Sequence, residues 1–260
     1  MYITTTNSTN TLLRELIAKE EWPKKERFLR AGYQTAGRGQ TGNGWESERD
    51  KNLLCSIPLP PVANPFDINV IVSVALHKFI GGISGAYRGH IGSMLELENS
   101  LLTIKWPNDL YYGDRKLAGI LIENAIVGNE VKVSIAGIGL NVNQTHWNSE
   151  DLNTRAISLK QITGKEYDLD ELMQGLITEV HKALKENVWN YYKAHLYRRN
   201  GFWPFVERIV SVDPTMNATK QAKNQFLAQI KDILSTGEII LEDQQNQQRK
   251  YHFKQIRYVL

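Results

Sequence analysis

The sequence predicts an α+β protein: a mixed, mainly antiparallel sheet with helices on one face, followed by a small β-rich unit. Three observations carry this. Apolar segments at 101–106, 116–127 and 131–143 follow one another with only hairpin chemistry between them, Gly113-Asp114 and Gly128-Asn129. Strands joined so tightly run antiparallel. Two long segments, 65–83 and 168–196, instead repeat their apolar residues at helical spacing. Helices grouped against such a sheet make an α+β arrangement.

Each element has its own signal. Ser8-Thr9-Asn10 precedes Leu12, Leu13, Leu16 and Ile17, so a helix starts there with Ser8 or Asn10 as its cap. Residues 27–32 form a short strand leading into a polar loop, 34–45. Residues 52–59 form a strand stopped by Pro58, Pro60 and Pro61. Helix 65–83 is weakened at its end by Gly81-Gly82. The 168–196 helix carries Leu169, Leu172, Met173, Leu176, Ile177, Val180, Leu184, Val188, Tyr191 and Leu196 on one face, and Gly201-Phe-Trp-Pro204 breaks it. Beyond it the pattern changes to period two, with a turn at 235–238 and a polar loop at 244–248. Short strands and tight turns there predict an SH3-like β-barrel, giving two units, 1–203 and 204–260.

Composition narrows the function. The 260 residues are 42% hydrophobic and 23% charged, which supplies the core of an ordinary soluble globular protein. A net charge of +3 is too small and too evenly spread for a nucleic-acid footprint. Cys55 is the one cysteine, so no internal disulfide and no cysteine zinc site can form, and a reducing, cytoplasmic compartment fits. The first residues show no signal peptide, and 68–83, interrupted by Asn69, His77 and Lys78, reads as a buried helix rather than a membrane span.

Two polar segments stand out. Gly37-Arg38-Gly39-Gln40-Thr41-Gly42-Asn43-Gly44-Trp45 contains G-x-G-x-x-G, but a strand follows it where a dinucleotide site needs a helix. No Lys-Ser or Lys-Thr follows Gly42, so it is no P-loop either. What remains is a glycine-rich loop in which Arg38 can grip phosphate or carboxylate and Trp45 can supply an apolar face. A surface loop with one core tryptophan would look the same. The second segment, Lys105 to Glu123, gathers cations, acids, an amide and glycines around one hairpin, a set that no packing problem requires.

These blocks resemble the catalytic unit of the biotin protein ligases. Four match in order: Ser8 to Asn10, Gln34 to Trp45, Lys105 to Glu123, and Gly137-Ile-Gly-Leu-Asn141. The third satisfies K-W-P-N-D-x-x-x-x-x-x-K-x-x-G-I-L throughout. The resemblance implies a class II synthetase-like catalytic domain that uses ATP and Mg²⁺ to make biotinyl-5′-AMP. Biotin then passes to a lysine of a biotin carboxyl carrier domain. It implies that Lys116 and Arg38 act in catalysis, with Asp109 orienting the incoming lysine or helping to position Mg²⁺. Biotin would meet Ser8, Thr9, Asn10, Gln34, Arg38, Gly39, Gln40, Lys116 and Gly119. ATP would meet Arg38, Trp45, Lys105, Asn108, Lys116 and Asn141. No metal ligands are indicated. Elementary chemistry agrees: two anions must be brought together, and fixed cations lower their repulsion. Buried polar groups on a urea ring each need a partner.

Two departures matter. The family's second and third loop arginines are Gln40 and Asn43 here, which weakens the expected grip on the adenylate. Only seven residues precede Ser8, so no DNA binding through an N-terminal helix-turn-helix is expected. A monomer or a homodimer fits equally. The competing functions are a lipoate or octanoate ligase of the same fold and a non-catalytic biotin-binding protein.

Overall fold

The computed structural model describes residues 1–40, 43–62, 64–84, 101–127, 130–208 and 225–259. A seven-stranded sheet runs β1 (Tyr2–Ile3), β2 (Leu29–Ala31), β3 (Leu53–Leu59), β7 (Glu130–Leu140), β6 (Arg115–Val127), β5 (Asp109–Tyr112), β4 (Leu102–Lys105). Only β1 and β2 are parallel; every other pair is antiparallel, so the sheet is mixed and mainly antiparallel as expected. The β6–β7 turn at Gly128-Asn129 lies outside the described residues.

The polar stretch after Pro107 holds a strand that apolar patterning missed. Asp109–Tyr112 is only four residues long, yet it pairs with β4 on one side and β6 on the other. The β1 strand was missed for the same reason, having two residues. Pro58 does not stop β3. It sits opposite Ile135 of β7, beyond the last β2 partner, Ser56, so its missing N–H faces no strand.

Helix α1 (Thr9–Ala18) starts with Ser8 in the cap position, but the Ser8 side chain makes no capping bond. Helix α2 (Pro65–Ser84) begins with Pro65, whose lost N–H would be unpaired in the first turn anyway, and continues through Gly81-Gly82. By length and composition α2 could cross a membrane. Here Ile68, Val70, Val72, Val74, Ala75, Leu76 and Ile80 are buried in the core.

The single long helix expected over 168–196 is two. Helix α5 (Leu169–Ala183) ends at Leu184, and α6 (Trp189–Ala194) begins after Asn187 Oδ1 accepts a 3.3 Å bond from Trp189 N. The apolar spacing carries across the break, which is why it read as one helix. Two short helices, α3 (Glu150–Arg155) and α4 (Leu159–Thr163), fill a stretch that sequence patterning left unassigned. Each starts on a serine cap, Ser149 and Ser158.

Helices α2 and α5 pack against one face of the sheet. The alternate residues point to the other face, where Leu13 of α1 meets Leu29 and Ile135. The functional groups gather on that second face.

Residues after 202 form a five-stranded antiparallel sheet, ordered β11 (Gln248–Tyr251), β10 (Ile239–Asp243), β9 (Gln225–Ile233), β8 (Trp203–Glu207), β12 (Ile256–Tyr258). Gln248, placed in a polar loop by composition, opens β11. Phe205, Ile230, Leu241 and Tyr258 join the same buried cluster as the main sheet, so the core is continuous.

The α5 start is doubly capped: Asp168 Oδ1 accepts from Asp170 N at 2.8 Å and Glu171 N at 2.9 Å. Asp168→Ala should lower unfolding stability by about 1 kcal/mol in urea denaturation, because two first-turn N–H groups lose their acceptor.

Candidate functional site

The site begins with bare backbone. Gly119 of β6 and Gly139 of β7 face one another in register. A Cβ on Gly139 would come within 2.5 Å of Trp45 Cε2; one on Gly119 would meet both Lys116 and Trp45 at 3.1 Å. On Gly137 it would collide with the Asn10 amide. These strand glycines therefore make a floor on which Asn10, Trp45 and Lys116 can lie.

A small cavity of about 100 Å³ stands on that floor, lined by Ser8, Thr9, Asn10, Gln34, Arg38 and Lys116 among others. A wider cleft of about 1,220 Å³ adjoins it, with Lys105, Asn108, Asn141 and Arg155 in its walls. Trp45, Gln40, Asp109 and Lys116 line both. Every residue named from the sequence lines one or the other, including Gly39 and Gly119.

The polar end of the cavity is a connected network. Gln34 Oε1 accepts from Thr9 N at 2.7 Å and Thr9 Oγ1 at 3.1 Å. Ser56, fully buried in β3, lies 2.8 Å from Thr9 Oγ1 and 2.6 Å from Asn10 Oδ1. Asn10 Nδ2 donates to Leu121 O at 3.2 Å and Glu123 Oε2 at 2.8 Å. Both amide hydrogens of Asn10 are thus engaged by protein, leaving its oxygen as the atom with spare capacity. Ser8 makes no capping bond, and its hydroxyl has no hydrogen-bond partner among the described residues.

The two sides of the glycine loop pair with each other. Trp45 N donates to Gly37 O at 3.0 Å and Gly39 N to Asn43 O at 2.8 Å; Thr41 and Gly42 lie outside the described residues. Arg38 Nη2 reaches Thr11 Oγ1 at 3.0 Å and both Glu123 oxygens at 3.2 Å.

At the junction of cavity and cleft, Lys116 Nζ pairs with Asp109 Oδ1 at 2.8 Å and lies 5.7 Å from the Trp45 ring. Deeper in the cleft, Lys105 Nζ donates to Tyr111 Oη at 2.9 Å and sits among the rings of Tyr111, Tyr258 and Tyr197 at 4.3, 5.3 and 6.0 Å. Burial lowers the Lys105 ammonium to about 8, against the opposing pull of Asp109. Among the described residues no carboxylate is hydrogen-bonded to this buried ammonium, which suits it to receive an anion.

The two cleft asparagines are anchored differently. Asn108 donates its amide to Ile120 O, tying the turn to β6. Asn141 Nδ2 donates to Ile157 O at 3.1 Å and Lys116 O at 3.4 Å, while its buried Oδ1 has no partner among the described residues. The residue itself lines the cleft, so this acceptor lies just behind the wall.

Sequence reasoning missed Ser56, Glu123 and the part played by Gly137 and Gly139. Alternating glycines inside an otherwise apolar strand were the available signal for the last two. Ser56 carries none, being one polar residue in a strand. Cys55 also lines the cavity, but burial pushes its thiol up to about 12, so it stays protonated and is no nucleophile.

Fold and site together define a protein with a small polar pocket opening onto a cation-bearing cleft. The Biotin/lipoate A/B protein ligase family matches residues 2–143, and the chain belongs to that family. It is 29% identical over 187 residues to the bifunctional ligase/repressor BirA of Escherichia coli, covering 72% of this chain and 51% of that protein. It is 29% identical over 156 residues to the biotin–[acetyl-CoA-carboxylase] ligase of Mycobacterium tuberculosis, covering 60% and 53%. The chain spans about half the length of these curated relatives. Its fold resembles the biotin protein ligase of Aquifex aeolicus in complex with biotin and ATP, with a TM-score of 0.71, 20% identity and coverage of 100% and 98%. It also resembles the Leishmania major enzyme in complex with biotinyl-5-AMP, at 0.62, 17%, 96% and 97%.

Gly139→Ala should push the Trp45 indole off the floor. Acrylamide should then quench tryptophan emission more strongly, a difference absent in a Trp45→Phe background. Stability should fall by about 1–3 kcal/mol, the usual effect of overpacking.

Proposed function

We propose that this chain joins biotin to ATP, forming biotinyl-5′-AMP and pyrophosphate, and then transfers biotin to a lysine of a biotin carboxyl carrier domain. Residues 1–203 carry the chemistry, with 204–260 as a C-terminal unit, and the chain works in the cytoplasm. One observation carries it: Lys116 and Asp109 line both the small polar cavity and the larger cleft. A cation at that junction is where a carboxylate from the cavity and an α-phosphate from the cleft would meet. The family match and the relatives' names support the same reading.

The roles follow from position. Ser8, Thr9, Asn10 and Gln34 take the ureido ring at the closed end of the cavity, and Gly119 lets the ligand approach the backbone. Arg38, Gly39 and Gln40 bring the loop over the acid end. Lys116 leaves Asp109 for the incoming oxygens. The exchange trades one partly exposed pair with Asp109 for bonds to a carboxylate and a phosphate together. The carboxylate oxygen then attacks the α-phosphorus, pyrophosphate departs, and Lys116 and Arg38 hold the charge that builds at phosphorus. Asp109, freed from Lys116, can orient the amine of the acceptor lysine. Lys105 takes the phosphate chain, and Asn141, Asn108 and Trp45 receive the adenine.

Mg²⁺ would supply charge neutralisation of the phosphates. Among the described residues no three His, Cys, Asp or Glu side chains converge. Glu46, Asp109 and Asp151 line the cleft, which suits an ion held mainly by phosphate oxygens and one or two carboxylates. A lipoate or octanoate substrate fits less well, because the closed end of the cavity is a hydrogen-bond network rather than an apolar channel.

The direct test is incubation with ATP, Mg²⁺, biotin and a carrier domain; the carrier should gain the mass of one biotinyl group. Lys116→Ala should abolish biotin-dependent ATP–pyrophosphate exchange while leaving the circular dichroism spectrum unchanged.

Lys105 gives a pH prediction. Its folded pKa, about 8, lies below the ordinary 10.5. The burial penalty on stability is therefore present in full below about 8 and fades as pH rises towards 10.5. For ATP the sign is opposite: the cation is lost as pH rises through 8. KM for ATP should climb above that pH, and Lys105→Arg, which cannot deprotonate, should flatten the rise.

Gln40 offers no charge to the adenylate. Gln40→Arg should slow adenylate release, read from the dissociation rate of the intermediate; an unchanged or faster rate removes this role from position 40.

A further inference from the structure

Glu123 closes the sequence block that begins at Lys105, and nothing in the proposed reaction uses it. A carboxylate beside a pocket for two anions repels them, so its presence needs a reason. Its contacts supply one. Oε2 accepts from Asn10 Nδ2 at 2.8 Å. Both oxygens accept from Arg38 Nη2 at 3.2 Å, and Arg14 Nη1 approaches Oε1 at 3.7 Å. Two guanidiniums neutralise it, and one of them belongs to the glycine loop.

Glu123 thereby joins three separate pieces of the site: α1 through Asn10 and Arg14, the loop through Arg38, and β6 on which it stands. The line of bonds continues inward, from Asn10 Oδ1 to Ser56 Oγ and on to Thr9 Oγ1. An asparagine amide can present either end to a ligand. With Glu123 and Leu121 O taking its hydrogens, Asn10 has only one orientation open.

From this geometry we infer that Glu123 is a positioning residue for biotin: it fixes the Asn10 amide and holds Arg38 of the glycine loop against the cavity. The inference rests on the biotin-ligase reading of the site. Glu123 acts through its two partners and touches no reacting atom. Its side chain is 21% exposed, so its substitution leaves the core intact.

Glu123→Gln is the test. Glutamine keeps the length but turns an NH₂ towards donors on Asn10 or Arg38. In biotin-dependent ATP–pyrophosphate exchange, KM for biotin should rise about tenfold, the usual effect of losing a charge-assisted bond. KM for ATP should rise by clearly less, because Arg38 keeps its own charge for the phosphate, and the circular dichroism spectrum should be unchanged. Arg38→Gln and the double variant complete a cycle. If Glu123 works partly through Arg38, the double variant loses less than the product of the two single losses. Fully multiplicative losses, unchanged constants for Glu123→Gln, or equal rises in both KM values with an altered circular dichroism spectrum would each overturn the inference. Those outcomes leave the ligase reading standing, provided the unmutated chain shows exchange. No biotin-dependent exchange by the unmutated chain would overturn both.

Discussion

The whole site depends on a missing atom, the Cβ absent from Gly119 and Gly139. Paired across β6 and β7, they leave a patch of bare sheet where any side chain would stand up. Trp45 and Lys116 lie across that patch, and Gly137 extends it beneath Asn10. A strand pays for glycine in conformational freedom and lost packing. Three such positions within two adjacent strands make sense only if something else must occupy the space. Tryptophan from the loop, lysine from the hairpin and asparagine from the first helix come from distant parts of the chain, and the floor is what lets them share one cavity.

Electrostatics gives the site a resting arrangement. Each cation near the cavity is held by a carboxylate: Lys116 by Asp109, and Arg38 by Glu123. The pairs are partly exposed and weak by the standards of charge-assisted bonds to phosphate. They keep guanidinium and ammonium groups aimed at the cavity without committing them. Lys105 differs, being sunk among three tyrosine rings and bonded to Tyr111, with no carboxylate bonded to it among the described residues. Its charge is disfavoured until an anion arrives. One end of the cleft thus carries exchangeable ion pairs and the other a desolvated cation bonded to a neutral phenol.

Much of this was legible in the sequence, and the remainder was hidden for identifiable reasons. The main sheet, α2 and the β-rich tail announce themselves through apolar period. The site residues announce themselves because Arg, Lys, Asn and Asp packed around glycines have no core explanation. Strand β5 was hidden because Asp109–Tyr112 is too short to show a period and earns its place only through partners on both sides. The break between α5 and α6 was hidden because the apolar stripe continues through it, and only Asn187 marks the new start. Ser56 and Glu123 were hidden because a single polar residue in a strand gains meaning from what lies beside it, and that neighbour is dozens of residues away.

The tail shows the same logic at larger scale. By pattern it is a separate small β unit, yet it reaches into the turn that carries Lys105, Asn108 and Asp109. Trp106, almost fully buried, donates its indole N–H to Gly237 O at 3.0 Å. Gly237 lies at φ +91°, and a Cβ there would strike the Phe66 ring at 2.5 Å, so glycine is required twice over. Tyr258 of the last strand forms one wall around Lys105. Asn64, just before α2, donates to Ser235 O of the same tail turn. The turn bearing the cleft's polar residues is therefore clamped between the main sheet, through Asn108 and Ile120, and the second sheet, through Trp106 and Gly237. Neither sheet alone encloses the Lys105 ammonium, and the depth of its burial is a property of the two together.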